Sequence, residues 1–196
     1  MSTSKNGVIA LPHPNLRKKS HRVGVITPDI LKIINDMKDA TISWDLSREH
    51  EVGVALAAVQ INQPYKIIVV RNDYDNKEDF SFSSFINPVI TKLEGQIEED
   101  FEGCLSVKDI YGKVPRYTKV RVKALDERGH PFRITAEGFL ARIFQHEIDH
   151  LNGTLFIDHI KDKPDAFYKL KDDGSLGQLD FEKAVRGNKT LWKDTK

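Results

Sequence analysis

Two histidines four residues apart, in His146-Glu147-Ile148-Asp149-His150, constrain this chain more than any other feature. They fall in a run from Ala136 to Leu151 that carries a helical apolar pattern, and Gly153 follows it as a stop signal. Four residues is just over one helical turn, so both imidazoles leave from one face. From that face they reach one metal ion at about 2.1 Å from each nitrogen. Glu147 lies about 100° around the helix from His146, where its carboxylate reaches water at the metal without ligating the metal itself. Taken alone, the pentapeptide also fits two histidines paired with acids on a solvated helix face.

Two imidazoles leave a four-coordinate ion short of one protein ligand and one water. A thiolate is a strong candidate for the missing ligand, and Cys104 is the only cysteine in the chain. A single thiol excludes an internal disulfide framework and fits a reducing, cytoplasmic compartment. A chain of 196 residues that is 39% hydrophobic buries a sufficient core without such staples. The formal net charge of +1, from 30 basic and 29 acidic residues, creates no global field toward nucleic acid or an anionic membrane. We therefore expect no specific DNA partner. The apolar stretches Val54 to Val59 and Ile67 to Val70 are far too short to cross a bilayer. The first 28 residues contain no acid, but Pro12, Pro14 and Pro28 break any amphipathic transit helix there. They read as an ordinary N-terminal arm.

Elsewhere the pattern mixes helices and hairpins. Thr27 and Pro28 open a helix as N-cap and first helical residue, and Ile30, Ile33, Ile34 and Met37 supply its apolar stripe. The polar stretch Thr41 to Glu51 reads as loop turning into helix. Lys66 to Arg71 is a buried strand, with a polar loop from Asn72 to Asp79 after it. Phe85 to Ile90 is a strand placed at a sheet edge by Pro88. Lys119 to Leu125 and Pro131 to Thr135 form a hairpin around Asp126-Glu127-Arg128-Gly129. The fold class is α+β, antiparallel sheets packed around a central helix that carries the two histidines. Residues 1–160 are expected to form one domain that carries the two histidines and Cys104. Residues 161–196 are a charged extension of it, expected to be partly mobile, with Leu179, Phe181 and Val185 able to anchor a short helix.

Three segments carry a resemblance. Gly53-Val54-Ala55-Leu56-Ala57-Ala58-Val59-Gln60, Glu102-Gly103-Cys104-Leu105-Ser106 and Gln145-His146-Glu147-Ile148-Asp149-His150 occur in this order. Their order and spacing resemble the peptide deformylase family, from about Leu11 to about Ile160. Few residues precede the match, which argues against a cleaved transit peptide. The resemblance implies that Cys104, His146 and His150 bind one divalent metal, Fe(II) in the cell, with Zn, Ni or Co in purified protein. It implies that Glu147 is general base and then acid, and that Gln60 and the backbone N–H of Leu105 hold the formyl oxygen. The implied partners are N-formylmethionyl nascent peptides, with the ribosome near its exit tunnel as a further contact, and the implied state is a monomer or weak dimer.

Phe139, Ile143, His146 and His150 share one helix face, so Phe139 and Ile143 extend the metal-bearing face as an apolar wall for methionine, closed by Val54. Core packing explains the same stripe equally well. Strand addition would pair a substrate backbone with Val54 and Ala55, beside Gly103. Ala55, Lys108 and Tyr111 depart from the family pattern, where glycine, proline and arginine are common. Glu102 and Arg116 are similar to a family ion pair that steadies the cysteine loop. A zinc endopeptidase shares the two histidines, but its extended ligand pattern needs histidine where Phe156 stands. An inactive metal-binding relative is the other alternative, although no catalytic residue type is missing.

Overall fold

A computed structural model describes residues 7–46, 52–76 and 78–193. Helix α1 (Pro28–Asp45) begins where the sequence places it. The Thr27 side chain accepts from Ile30 N–H, and Pro28 takes a position where no amide donor is needed. The helix runs further than expected, through Thr41 to Asp45. The Thr41 hydroxyl donates to Met37 O at 2.9 Å, so this polar residue is satisfied inside the helix. The rest of the stretch expected to turn into helix, residues 47–51, lies outside the described residues.

Strands β1 (Ala55–Ala57), β2 (Ile67–Arg71), β3 (Phe82–Cys104), β4 (Val107–Leu125) and β5 (Pro131–Glu137) follow, then helix α2 (Gly138–Leu151). After α2 come β6 (Phe167–Leu170), β7 (Leu176–Gln178), one helical turn over Glu182–Arg186 and the short α3 (Lys189–Trp192). Among the described residues, seven strands form one antiparallel sheet in the order β1-β2-β3-β4-β6-β7, with β5 also on β4. The class is α+β, an antiparallel sheet with few helices.

Alternation explains the unbroken apolar run of β2. Ile67 and Val69 pack with Ile30, Ile34 and Met37 of α1. Ile68 and Val70 pack with Ile143, Phe144 and Ile148 of α2. Successive strand side chains point to opposite faces, and here each face meets a helix. A third core joins Val107 and Val114 to Phe156, Phe167, Phe181, Val185 and Leu191. Thus the residues expected to anchor the charged extension do pack inward: Phe181 and Val185 lie in a short helix, and Leu179 just before it packs against the same core.

Pro88 does not mark an edge. Strand β3 lies between β2 and β4, and its ladder to β4 shifts register between Ile86 and Val89. Asn87 there has φ 53° and its side chain bonds both N–H and C=O of Val23. The missing proline N–H falls in this bulge, so an interior strand accommodates it. Residues 91–100 of β3 are largely exposed and polar on both faces, which hides that part of the hairpin from alternation.

Candidate active site

Strands β3 and β4 meet in a two-residue turn, Leu105-Ser106, that places Cys104 at the last position of β3. Gly103 precedes it because the Tyr111 ring lies over that backbone. A Cβ there would fall 2.5 Å from Tyr111 Cε1. The N-terminal arm straps the region from behind: Ile9 N–H donates to Gln60 O at 2.7 Å and Leu11 N–H to Ser106 O at 2.9 Å.

Helix α2 brings its histidines to this turn. The side-chain ligand atoms of Cys104, His146 and His150 all lie within 4.8 Å of one another. Cys104 Sγ is 3.3 Å from His150 Nε2. His146 Nδ1 lies 2.9 Å from Glu102 Oε2, which leaves Nε2 for the site. Phe156 stacks on the His146 ring with centroids 6.1 Å apart, so it is packing where an extended peptidase motif would carry a ligand.

Glu102 is the electrostatic hub. It accepts from Arg116 Nε at 2.9 Å, Arg116 Nη2 at 3.1 Å and Arg142 Nη1 at 2.9 Å, besides His146. The ion pair expected with Arg116 is therefore present, and Arg142 joins it. Arg142 also donates to Val114 O at 2.7 Å and Glu98 O at 2.9 Å, tying α2 to both strands of the hairpin. The sequence reading passed over Arg142; its position one turn before His146 is the signal that marks it. Burial disfavours charge on Glu102, yet His146 and Arg116 hold its carboxyl far below the usual range. Arg116 continues to Asp149 Oδ2 at 2.6 Å, and His159 Nε2 reaches the same oxygen at 2.7 Å.

Gln60 is buried with a fixed orientation. Its Oε1 accepts from Ala57 N–H at 2.9 Å, so the amide nitrogen faces Cys104 Sγ at 3.7 Å and Ser106 Oγ at 3.2 Å. Glu147 is buried, and its Oε2 has no hydrogen-bond partner among the described residues. Burial pushes its carboxyl up to about 7; the His146 charge opposes this and Glu102 adds to it. Burial disfavours charge on His146, but hydrogen bonds to Cys104 and Glu102 outweigh it and raise the pKa well above the usual value. Burial and the neighbouring His146 push His150 well below it.

A cavity of about 320 Å³ opens over this cluster. Every residue assigned from the sequence lines it or lies directly behind it. Gln60, Gly103, Cys104, Leu105, His146 and Glu147 form its floor, and Val54, Ala55, Phe139 and Ile143 stand around it. His150 is only 1% exposed and closes the triad from the protein side. Ala55 is extended in β1 opposite Val70 and packs into the core, so its methyl causes no departure from strand geometry. Trp44, Val52, Phe101 and Leu176 also line it and were not read from the sequence as site residues, and Glu102, Arg142 and Tyr111 line it as well. One thiol, two imidazoles and a carboxylate oxygen buried without a partner fit a single divalent ion with water beside it.

Fold and site together present one thiol, two imidazoles and an adjacent glutamate, a donor set that fits a single-metal hydrolase. The family model for polypeptide deformylase matches residues 5–165. Peptide deformylase 2 of Clostridium acetobutylicum is 42% identical over 143 residues, covering 73% of this chain and 87% of that protein. The peptide deformylase of Stutzerimonas stutzeri is 38% identical over 153 residues, covering 78% and 85%. A crystal structure of a peptide deformylase from Legionella pneumophila matches with a TM-score of 0.69 at 41% identity, over 78% of this chain and 83% of that one. The chain belongs to the polypeptide deformylase family, metal-dependent hydrolases that remove the N-formyl group from newly made polypeptides.

Proposed function

We propose that this protein deformylates N-formylmethionyl nascent chains with Glu147 as base and acid, and with α2 as the central metal-bearing helix of the fold. The observation that carries the reading is the convergence of Cys104, His146 and His150 beside a buried, unpartnered Glu147 oxygen. A divalent ion held by the three ligands supplies Lewis-acid polarisation and makes water acidic near neutral pH. Glu147 takes the proton from the attacking water. Gln60 Nε2 and the Leu105 N–H hold the formyl oxygen as it gains charge. Glu147 then returns its proton to the departing amine nitrogen, giving formate and a free amino terminus.

Val54, Phe139 and Ile143 receive the methionine side chain, and the β1 backbone at Val54 and Ala55 pairs with the substrate main chain. Phe139 is 46% exposed toward solvent, whereas Ile143 is buried, a profile that suits a wall with an open end. Fe(II) is the working metal in this proposal, with Zn, Ni or Co able to replace it in a thiolate–imidazole site. The setting is cytoplasmic, at the ribosome near the exit tunnel, as a monomer or weak dimer. Among the described residues no helix is long and apolar enough to cross a membrane. The test is formate release from formyl-Met-Ala-Ser by anaerobically purified protein, with metal analysis of the same sample. No formate from a fully metal-loaded sample ends the proposal.

A further inference from the structure

We infer that the C-terminal hairpin β6–β7 forms part of the substrate site, with Leu176 as a residue that selects large apolar side chains downstream of formyl-methionine. This deepens the deformylase reading and rests on it.

The argument starts at a defect in the long hairpin. Between the pairs Glu102↔Gly112 and Cys104↔Val107, β4 carries extra residues that leave the β3 ladder. The bulged segment pairs instead with β6, through Ile110↔Lys169, Tyr111↔Tyr168 and Gly112↔Phe167. β7 then adds to β6, with Leu170 opposite Leu176. The hairpin thus covers an edge created next to Cys104. It also begins just past residue 165, where the family match ends.

Register assigns its faces. Directly opposed residues share a face, as do residues two apart on one strand. Tyr111, Tyr168, Leu170 and Leu176 therefore lie on one face, and Phe101 joins them through its pairing with Lys113. Phe101 and Tyr168 stack edge to face with centroids 4.9 Å apart. None of these five belongs to a core cluster, whereas Phe167 on the opposite face is fully buried in the third core. They form a half-buried apolar shelf, and Phe101, Tyr111 and Leu176 of that shelf line the catalytic cavity.

The occupant follows from the substrate's chemistry. The formyl group uses Gln60 and Leu105, and the methionine side chain uses Val54, Phe139 and Ile143. A nascent chain continues beyond that methionine, so its next residues must leave the cavity across the remaining walls. Besides the ion-paired Glu102 and Arg142, those walls are Trp44, Val52, Phe101, Tyr111 and Leu176, so a large apolar side chain gains contact there and glycine does not.

The test compares formyl-Met-Phe-Ala and formyl-Met-Ala-Phe with formyl-Met-Ala-Gly, using metal-loaded protein. At one of the two positions phenylalanine lowers KM by about five-fold, or about 1 kcal/mol at 1.4 kcal/mol per tenfold. Leu176→Ala reduces that preference below two-fold. Leu176→Asp reverses the preference. Lys169→Ala, exposed on the other face, retains it. The product peptides Met-Phe-Ala, Met-Ala-Phe and Met-Ala-Gly, measured by calorimetry, follow the same order of binding. A preference that survives in Leu176→Ala, or one absent from the parent protein, overturns the inference. If formate is released from none of the substrates, the deformylase reading fails, and the calorimetric ratios still decide whether the shelf binds peptide.

Discussion

His146 Nδ1 sits 2.9 Å from Glu102 Oε2, and this contact decides which imidazole nitrogen faces Cys104 and His150. The same carboxylate pairs with Arg116 and Arg142, so one residue orients a histidine and holds two buried guanidinium groups, Arg116 also pairing with Asp149. Glu102→Gln keeps the shape and removes the charge. Breaking a buried ion pair from one side costs about 3–5 kcal/mol. A lost partner behind a metal-binding histidine weakens metal affinity by about 10–100-fold. Thermal melting and competitive metal titration of Glu102→Gln should show both losses. A variant that melts and binds like the parent would remove Glu102 from this role.

Glu147 couples activity to stability in opposite directions. Its pKa, about 7 in the folded protein against 4.5 as a free side chain, is raised. As pH climbs through 4.5 the unfolded chain ionises this group while the folded protein keeps it protonated. Folding therefore loses stability from pH 4.5 up to about 7, and the loss stays constant above that. At 1.36 kcal/mol per unit the ceiling is about 3 kcal/mol. Glutamine carries no such charge. Metal-free Glu147→Gln should melt several degrees above the metal-free parent at pH 8 and together with it near pH 4. Its turnover should fall by at least about 10²-fold. Equal melting temperatures at pH 8 would contradict the buried-carboxylate account.

Gln60 has its carbonyl committed to Ala57 and only its amide nitrogen turned to the cysteine turn. Gln60→Ala should lower kcat by about 10²–10³-fold, the scale of one lost oxyanion donor. Metal content should stay at one ion per chain, since Gln60 is not among the ligands. Loss of metal together with activity would show a structural role instead.

Ile143 tests the methionine wall. It is 4% exposed, packs in the core with Phe144 and Ile148, and also lines the cavity. Ile143→Phe narrows the cavity from its wall and should raise KM for formyl-Met peptides several-fold, with a smaller change in kcat. Overpacking adds about 1–3 kcal/mol of destabilisation, which a melt measures separately. An unchanged KM refutes the pocket.

Much of the chemistry was legible before the fold. Thr27-Pro28 marks the start of α1 because a cap and a proline act within one turn. The two histidines fall on one face because α2 repeats every 3.6 residues. The long β3–β4 hairpin was not legible, because residues 91–100 are largely solvated on both faces and show no alternation. Pro88 pointed to an edge strand because a missing N–H has two remedies, an edge or a bulge, and only the register tells them apart. Arg142 reads as an ordinary charge on a helix until Glu102, 40 residues away, arrives beside it.

Local order in the chain determined the shared helix face of His146 and His150 and the glutamate beside them, since those relations span a single turn of helix. Which groups became partners across the molecule was decided only by folding. The pairing of Glu102 with His146, Arg116 and Arg142, the aim of Gln60 and the arrival of Leu176 at the cavity depend on strand register and on packing between distant segments. Those are properties of many weak contacts satisfied together, and no short window of sequence contains them.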